Sequence, residues 1–571
     1  MRHKHMSMLD FNINPGSTHY RTLRAAALAM IALLCLIAAS CGDSTEGDDD
    51  IKLSDGYVLG GMVTGLNGTL VIQNDGADDI TMKENGLFVF ETLVANGATY
   101  EVTVKEEPGM QLCPVTNPSG TMTIAGVSNV SIACKSWGVP LASWDNISPL
   151  GSNATNPAVS VDSAGGAVVI WQQPDNSGIS SIYVATLSAG VWSTPASRSN
   201  AISPSGTAAE SPVVDMGPQG VAVAAWLQPS ASGFKRVYAS TLASGLWSIP
   251  VPINPDGSDA SNVSASMDDT GNAVVSWQQS DSGAISRVFA STMTSAWAWT
   301  HPSSLTDSLS SSASNASAPH SAIAGGKAIV TWQQADSAGN TQIFKAEHSA
   351  GTWALPTGLS DNLSPSGTDA SAPKVAMASA QSALIVWLQK DDTSMDSVMH
   401  AYLSGSLWDT PDGMLDAINP PGTAASGLRV SMGATASAIV VWQQPTSDGA
   451  DGVFAAVMKN WSWVSRPASN ADSVSPSGTA ASEPDVAMDS HGKAVAVWKQ
   501  LNSGGVYRIL KAEYNDKWHS PTTSDTTYNL SPSDTAAALP RIAMNAITQA
   551  IGVWQQSDGS NTRIFKAQLG Y

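Results

Sequence analysis

Charge, cysteine and histidine are scarce in this 571-residue chain, and each scarcity removes a class of function. Asp, Glu, Lys and Arg make up only 13% of it, split as 27 basic against 47 acidic residues, for a formal net charge of -20. Nucleic-acid binding is excluded, because it needs a basic stripe to neutralise phosphates. The acidity instead keeps a secreted surface solvated. There are 4 cysteines and 9 histidines, with no histidine between residues 42 and 300. A zinc site of clustered Cys and His is therefore not expected. Catalytic signatures are missing as well: no HExxH, no GxSxG, no phosphate-cradling loop and no His/Asp cluster at metal spacing. His301, His320, His348, His400, His491 and His519 fall at unrelated positions of the repeats described below. No catalytic residue, metal or cofactor is expected.

The N-terminal apolar run is too short for a membrane span. Residues 25–39, "AAALAMIALLCLIAA", follow Arg21 and Arg24 and number 15, against the ~20 that cross a bilayer as a helix. Basic residues before the run and small residues at its end mark residues 1–40 as an export signal. The ending "AASC" resembles the lipobox of bacterial lipoproteins, with Ala38 where Leu is more usual. That resemblance implies that Cys41 becomes the lipidated first residue of the mature chain. Gly42, and not Asp, follows it, which under the enteric sorting rule implies delivery to the outer membrane. Residues 41–56 then form a flexible acidic tether, since "GDSTEGDDDIKLSD" is too poor in apolar groups to fold. Cys35 leaves with the signal. Cys113 and Cys134 remain, suited to a disulfide in an oxidising compartment, worth roughly 3 kcal/mol in the chain-entropy model.

What is abundant is short alternating strand-like sequence. Residues 57–135 contain "YVLGGMVTG", "GTLVIQNDG", "DDITMKENG", "LFVFETLV", "TYEVTVKEEPG" and "VSNVSIAC", separated by Gly/Asn turns. Period-two alternation between turn signals predicts a small antiparallel β-sandwich. The segment resembles an immunoglobulin-like module of bacterial surface and secreted proteins, which implies a spacer role.

Residues 136–571 are a repeat array. Trp-x-Gln recurs at Trp171, Trp226, Trp277, Trp332, Trp387, Trp442, Trp498 and Trp554, in steps of about 55 residues. A second tryptophan, followed by proline, recurs at Trp137, Trp192, Trp247, Trp299, Trp353, Trp408, Trp463 and Trp518. Trp144, Trp297 and Trp461 fall outside both registers. Each unit reads as four strands, for example residues 211–216, 220–228, 236–243 and 246–252, which is the signature of a β-propeller blade. The apolar run before each Trp-x-Gln suits a strand buried on both faces. The last unit ends after three strands, whereas Trp137 to Pro140 is an outer strand with no unit before it. The fold class expected is all-β: an Ig-like sandwich, then an eight-bladed propeller closed by an N-terminal strand, leaving no exposed sheet edges.

Two repeated sets are candidates for binding or for building the repeat. Gln173, Gln228, Gln279, Gln334, Gln389, Gln444, Gln500 and Gln556 end the buried strands, where an amide can hold backbone groups of the next turn. The outer-strand residues Trp192, Trp247, Trp353 and Trp408 are candidates for pockets between blades. Loops such as "NISPLGSNA", "AISPSGTAA" and "AINPPGTAA" are expected on the same face as the loops after Trp-x-Gln, and form the best candidate surface. Arg236, Arg287, Arg508 and Arg563 share one repeat position and so should point outward around a ring without meeting at a substrate.

The array resembles bacterial TolB-type and sialidase-like propellers through the Trp-x-x-Pro strand and the four-strand cadence. The Ser-x-Asp-x-Gly-x-x-Trp box of the sialidases does not occur. The expected function is that of a lipid-anchored cell-envelope protein, held to the membrane by its lipid and acting as a non-enzymatic binding or scaffolding module. Its partner is an envelope protein or a glycan. A lectin with sites between blades, and a glycoside hydrolase or lyase, are the alternatives.

Overall fold

The computed structural model describes residues 56–570, apart from 109–110, 434–435, 525–527, 533–534 and 547. The expected signal, Cys41 and nearly all of the acidic tether lie outside the described residues. Among those residues the secondary structure is strand, with two 3-10 turns and no α-helix. No helix there is long and apolar enough to cross a membrane.

The N-terminal part holds two four-stranded sheets. One runs Ser119–Thr121, Thr99–Glu106, Leu70–Asn74, Asp78–Met82, and the other Gly86–Val89, Leu59–Thr64, Val127–Ala133, Val115–Thr116. Alternate residues face a shared core of Leu59, Val63, Leu70, Ile72, Val130 and Ile132. Leu59–Thr64 and Val127–Ala133 pair in parallel, a departure from the purely antiparallel sandwich expected. The chain completes a circuit between these strands and returns in the same direction. Gly61 permits their close approach: a Cβ there would collide with the Val130 carbonyl. Cys113 and Cys134 form a disulfide.

From Thr155 onward, eight sheets follow in sequence, each an antiparallel meander. The first comprises Thr155–Val161, Ala167–Pro174, Ser180–Ser188 and Val191–Ser193, and the eighth only Ala537–Met544, Ala550–Ser557 and Thr562–Leu569. The second strand of every sheet carries the Trp-x-Gln motif and is buried on both faces. Its period-two alternation sends odd and even residues to different neighbours. Val168 and Ile170 share a core with Ala222, Ala224 and Trp226 of the second sheet. Val169 and Trp171 share one with Ile551 and Val553 of the eighth. The first sheet is thus packed between the second and the last.

The fragment at Trp137 runs along the third strand of the eighth sheet. Gly138 and Gln568 exchange backbone hydrogen bonds of 2.8 and 3.0 Å. The Ile147 and Ala154 amides donate to the Ile564 and Thr562 carbonyls. Trp137 joins Trp554 and Phe565 in one core. The pairing amounts to two isolated bridges, Gly138 with Gln568 and Asn146 with Phe565, not the full strand expected, because the chain turns away after Pro140.

Candidate functional site

All eight Trp-x-Gln glutamines are buried and engaged at both ends of the amide. The Oε1 accepts from the indole N–H two residues earlier, at 2.8–3.2 Å in every copy. The Nε2 donates to a loop carbonyl, at 2.7 Å to Pro149, Pro204 and Pro365 for Gln173, Gln228 and Gln389. Gln279, Gln444, Gln500 and Gln556 do the same to Pro255, Pro420, Pro476 and Pro532, and Gln334 to Ser311. The glutamine therefore pins the Ser-Pro loop that precedes its own sheet, not the turn that follows. No group of the amide is left facing solvent. A buried indole N–H would otherwise lack an acceptor, which costs about 1–3 kcal/mol.

The third-strand arginines serve the same loops. Arg287 donates to Ser310 and pairs with Asp281 at 3.0 Å. Arg563 donates to the Pro149 and Ser152 carbonyls, Arg508 to Pro532 and Arg236 to Asn254. Each guanidinium donates to loop carbonyls, and Arg287 and Arg563 also pair with the carboxylates of Asp281 and Asp558.

The outer-strand tryptophans behave differently from one another. Those described below meet the third strand of the preceding sheet, and the residues they meet there differ from copy to copy. At Trp408 the pair is Lys345 and Glu347: the indole donates to Glu347 at 2.6 Å while the Lys345 ammonium sits 5.0 Å from the ring centroid. At Trp137 it is Lys511 and Glu513, in the same arrangement. Trp192 donates to Gln568, with Lys566 over its ring. Trp463 donates to His400 at 3.1 Å. These side chains fill the gap between sheets.

Elsewhere the pair is small or apolar. Trp247 packs in the core with Val184, and Trp518 in the core with Ala455 and Val457. The indole N–H groups of both are buried without an acceptor. At Trp353 the pair is Ala290 and Thr292, and an open cleft of about 230 Å³ remains between the third and fourth sheets. It is lined by Trp353, His301, His348, Thr292, Thr300 and Asp307, among others. His348 lies against Trp353 with ring centroids 5.0 Å apart, and His301 stacks on Trp299.

The cleft is nearly uncharged. Burial pushes both imidazoles below the ordinary histidine range, for His301 with help from Arg236. Both shifts favour the neutral imidazole; the His301 Nδ1 is already engaged by the Ser291 hydroxyl at 3.3 Å, which leaves Nε2 for the cleft. Hydrogen bonding, the Ser303 hydroxyl first, holds the Asp307 carboxyl below its usual range. That carboxylate is committed to the turn, accepting from Ser303 and Ser304 amides. An indole, two neutral imidazoles and threonine hydroxyls suit an uncharged ring bearing hydroxyl groups.

Sequence inspection singled out Trp353 but treated His301 and His348 as unrelated. They differ in repeat position yet approach the same cleft from adjacent sheets. The missing signal was the pair Ala290 and Thr292, legible only by comparing third strands residue by residue. Of the unaligned tryptophans, Trp461 stacks on Tyr402 at 4.7 Å. Trp297 occupies a tight turn at φ 64°. Trp144 is 79% exposed. Among the described residues no group of three or more His, Cys, Asp or Glu is arranged to hold a metal.

No family model matches the chain, and no curated protein matches it. Among solved structures it is similar to a Hadza microbial sialidase, at 8% identity and TM-score 0.33, over 86% of this chain and 79% of that one. It is also similar to a lectin from Burkholderia pseudomallei, at 17% identity and TM-score 0.35, over 65% of this chain and 99% of that one. A polysaccharide lyase, an ulvan lyase, aligns at 10% identity and TM-score 0.39, over 74% and 94%. Similarity at this level carries no argument about fold detail or activity.

Proposed function

We propose that the chain is an eight-bladed β-propeller carried on an Ig-like spacer and anchored to the bacterial envelope through Cys41, and that it works by binding, not catalysis. The Trp353 cleft is its ligand site, and the ligand presents an uncharged, hydroxyl-bearing ring such as a glycan unit. One observation carries this reading: Ala290 and Thr292 leave open a cleft that Lys345 and Glu347 fill in the next copy. The use of the four repeat arginines on loop carbonyls supports a non-catalytic role.

The repeat itself supplies the test. Replacing Ala290→Lys together with Thr292→Glu should plug the cleft in the manner of its neighbour. Glycan-array binding and tryptophan-fluorescence titration should show a saturable uncharged glycan for the natural chain and none for the double variant, with unchanged circular dichroism. Equal binding by the plugged variant contradicts the site. Turnover of the glycan contradicts the non-catalytic reading.

A scaffolding role has its own support in the loop after Pro140, where Leu141, Trp144 and Leu150 are 90%, 79% and 72% exposed. Crosslinked pull-down from envelopes should lose a protein partner on Leu141→Ser with Trp144→Ser if this patch docks one.

A further inference from the structure

The first strands of the eight sheets carry a second constellation, independent of the Trp353 cleft. Each first strand contains a β-bulge, marked by a break in pairing register. A residue at positive φ forms it, such as Ala318 (52°), Ala372 (53°), Gly427 (63°) and Leu539 (51°). Bulges re-aim the side chains that follow them. Two residues after these four come His320, Lys374, Arg429 and Arg541, and all four line one open cavity of about 460 Å³. Equivalent positions on third strands diverge, whereas equivalent positions on first strands converge. The expectation that such positions do not meet fails here.

These cations are poorly compensated. Lys374 and Arg541 make no ion pair among the described residues, and Arg429 has only Asp485, at 3.6 Å. Each guanidinium makes one hydrogen bond, to the carbonyl before it: Arg429 to Leu428 at 2.9 Å and Arg541 to Pro540 at 2.7 Å. Those bonds hold the forks through one terminal nitrogen each; the Arg429 Nε faces Asp485, and no hydrogen bond to the other terminal nitrogens is made among the described residues. His320 accepts from the Val375 amide at Nδ1, which puts its proton on Nε2 as a further donor. Burial, then Arg429, pushes the Lys374 ammonium down to about 8. Like charges crowded together in a chain of net charge -20 are unfavourable unless an anion completes them.

We propose that this axial cavity is a binding site for a tetrahedral oxyanion, sulfate or phosphate, free or as the ester of a compact molecule. Arginine forks match the oxygens of such a group two at a time, and the lysine supplies a mobile third charge. The cavity is larger than a bare ion, leaving room for an organic substituent.

Calorimetric titration of the whole chain at low salt tests this with inorganic sulfate, inorganic phosphate, glucose 6-sulfate and glucose 6-phosphate. Saturable binding is expected, with sodium chloride at matched ionic strength giving none. Tighter binding of the esters identifies an organic source, and equal binding a free ion; both support the site. Arg541→Gln and Lys374→Gln should each weaken binding about tenfold or more, the loss of one charge-assisted contact. Lys105→Gln, on the N-terminal sheets, should leave it unchanged. Arg541→Gln should also raise the melting temperature of the anion-free protein by relieving repulsion, a readout that separates site loss from misfolding. Absence of saturable binding, or affinity in both cavity variants equal to that of the natural chain, overturns the proposal.

Discussion

Single residues act here through satisfied hydrogen bonds more than through bulk. Gln444 lies between the Trp442 indole and the Pro420 carbonyl at 2.9 and 2.8 Å. Gln444→Leu should therefore cost about 1–3 kcal/mol in urea denaturation, although the substitution is apolar and buried. Glu347 offers a pH-dependent case. Burial alone would raise its carboxyl, but Lys327, Lys345 and the Trp408 indole outweigh it and hold it at about 2. A carboxyl depressed in the folded state stabilises above its unfolded value, near 4.5, and that contribution disappears as pH falls towards 2. Glu347→Gln should flatten the acid limb of stability in that window by up to about 3 kcal/mol. The glutamines were visible as eight identical letters in register. Their partners were not, because each lies in a loop some two dozen residues upstream. The axial cations were harder to see, since Ala158, Val213, Ser264, His320, Lys374, Arg429, Asp485 and Arg541 share a position but not a residue type.

At the scale of elements, bulges and sheet pairs decide what is open. Ala372 forms a bulge at φ 53°, a region that costs a residue with a Cβ about 1–2 kcal/mol. Ala372→Gly should raise the urea midpoint modestly, part of the gain being offset by the added freedom of the unfolded chain. The second strands were fully legible, because a continuous apolar run ending in Trp-x-Gln has no other stable home than between two sheets. The parallel pairing of Leu59–Thr64 with Val127–Ala133 was not, since alternation reports which face is buried and not which strand lies alongside. The cleft at Trp353 was half legible. Its tryptophan repeats, but its openness depends on two small residues in a different sheet.

At the scale of the whole molecule, the cavity is lined by first strands of seven sheets, the first and the eighth among them, as the proposed closed ring requires. The repeat count pointed to closure, and the shared core of Trp171 with Ile551 and Val553 joins the first sheet to the last. The lynchpin is Trp137, 9% exposed and in one core with Trp554. Trp137→Ala removes a buried aromatic, a change worth about 3–5 kcal/mol. Native-state hydrogen exchange followed by mass spectrometry reads the consequence strand by strand. The account predicts that amides of Thr562–Leu569, more than 400 residues away in sequence, exchange about 100-fold faster or more, while Ser180–Ser188 of the first sheet keeps its protection. Acceleration confined to the residues flanking position 137, with Thr562–Leu569 unchanged, would contradict a closed ring.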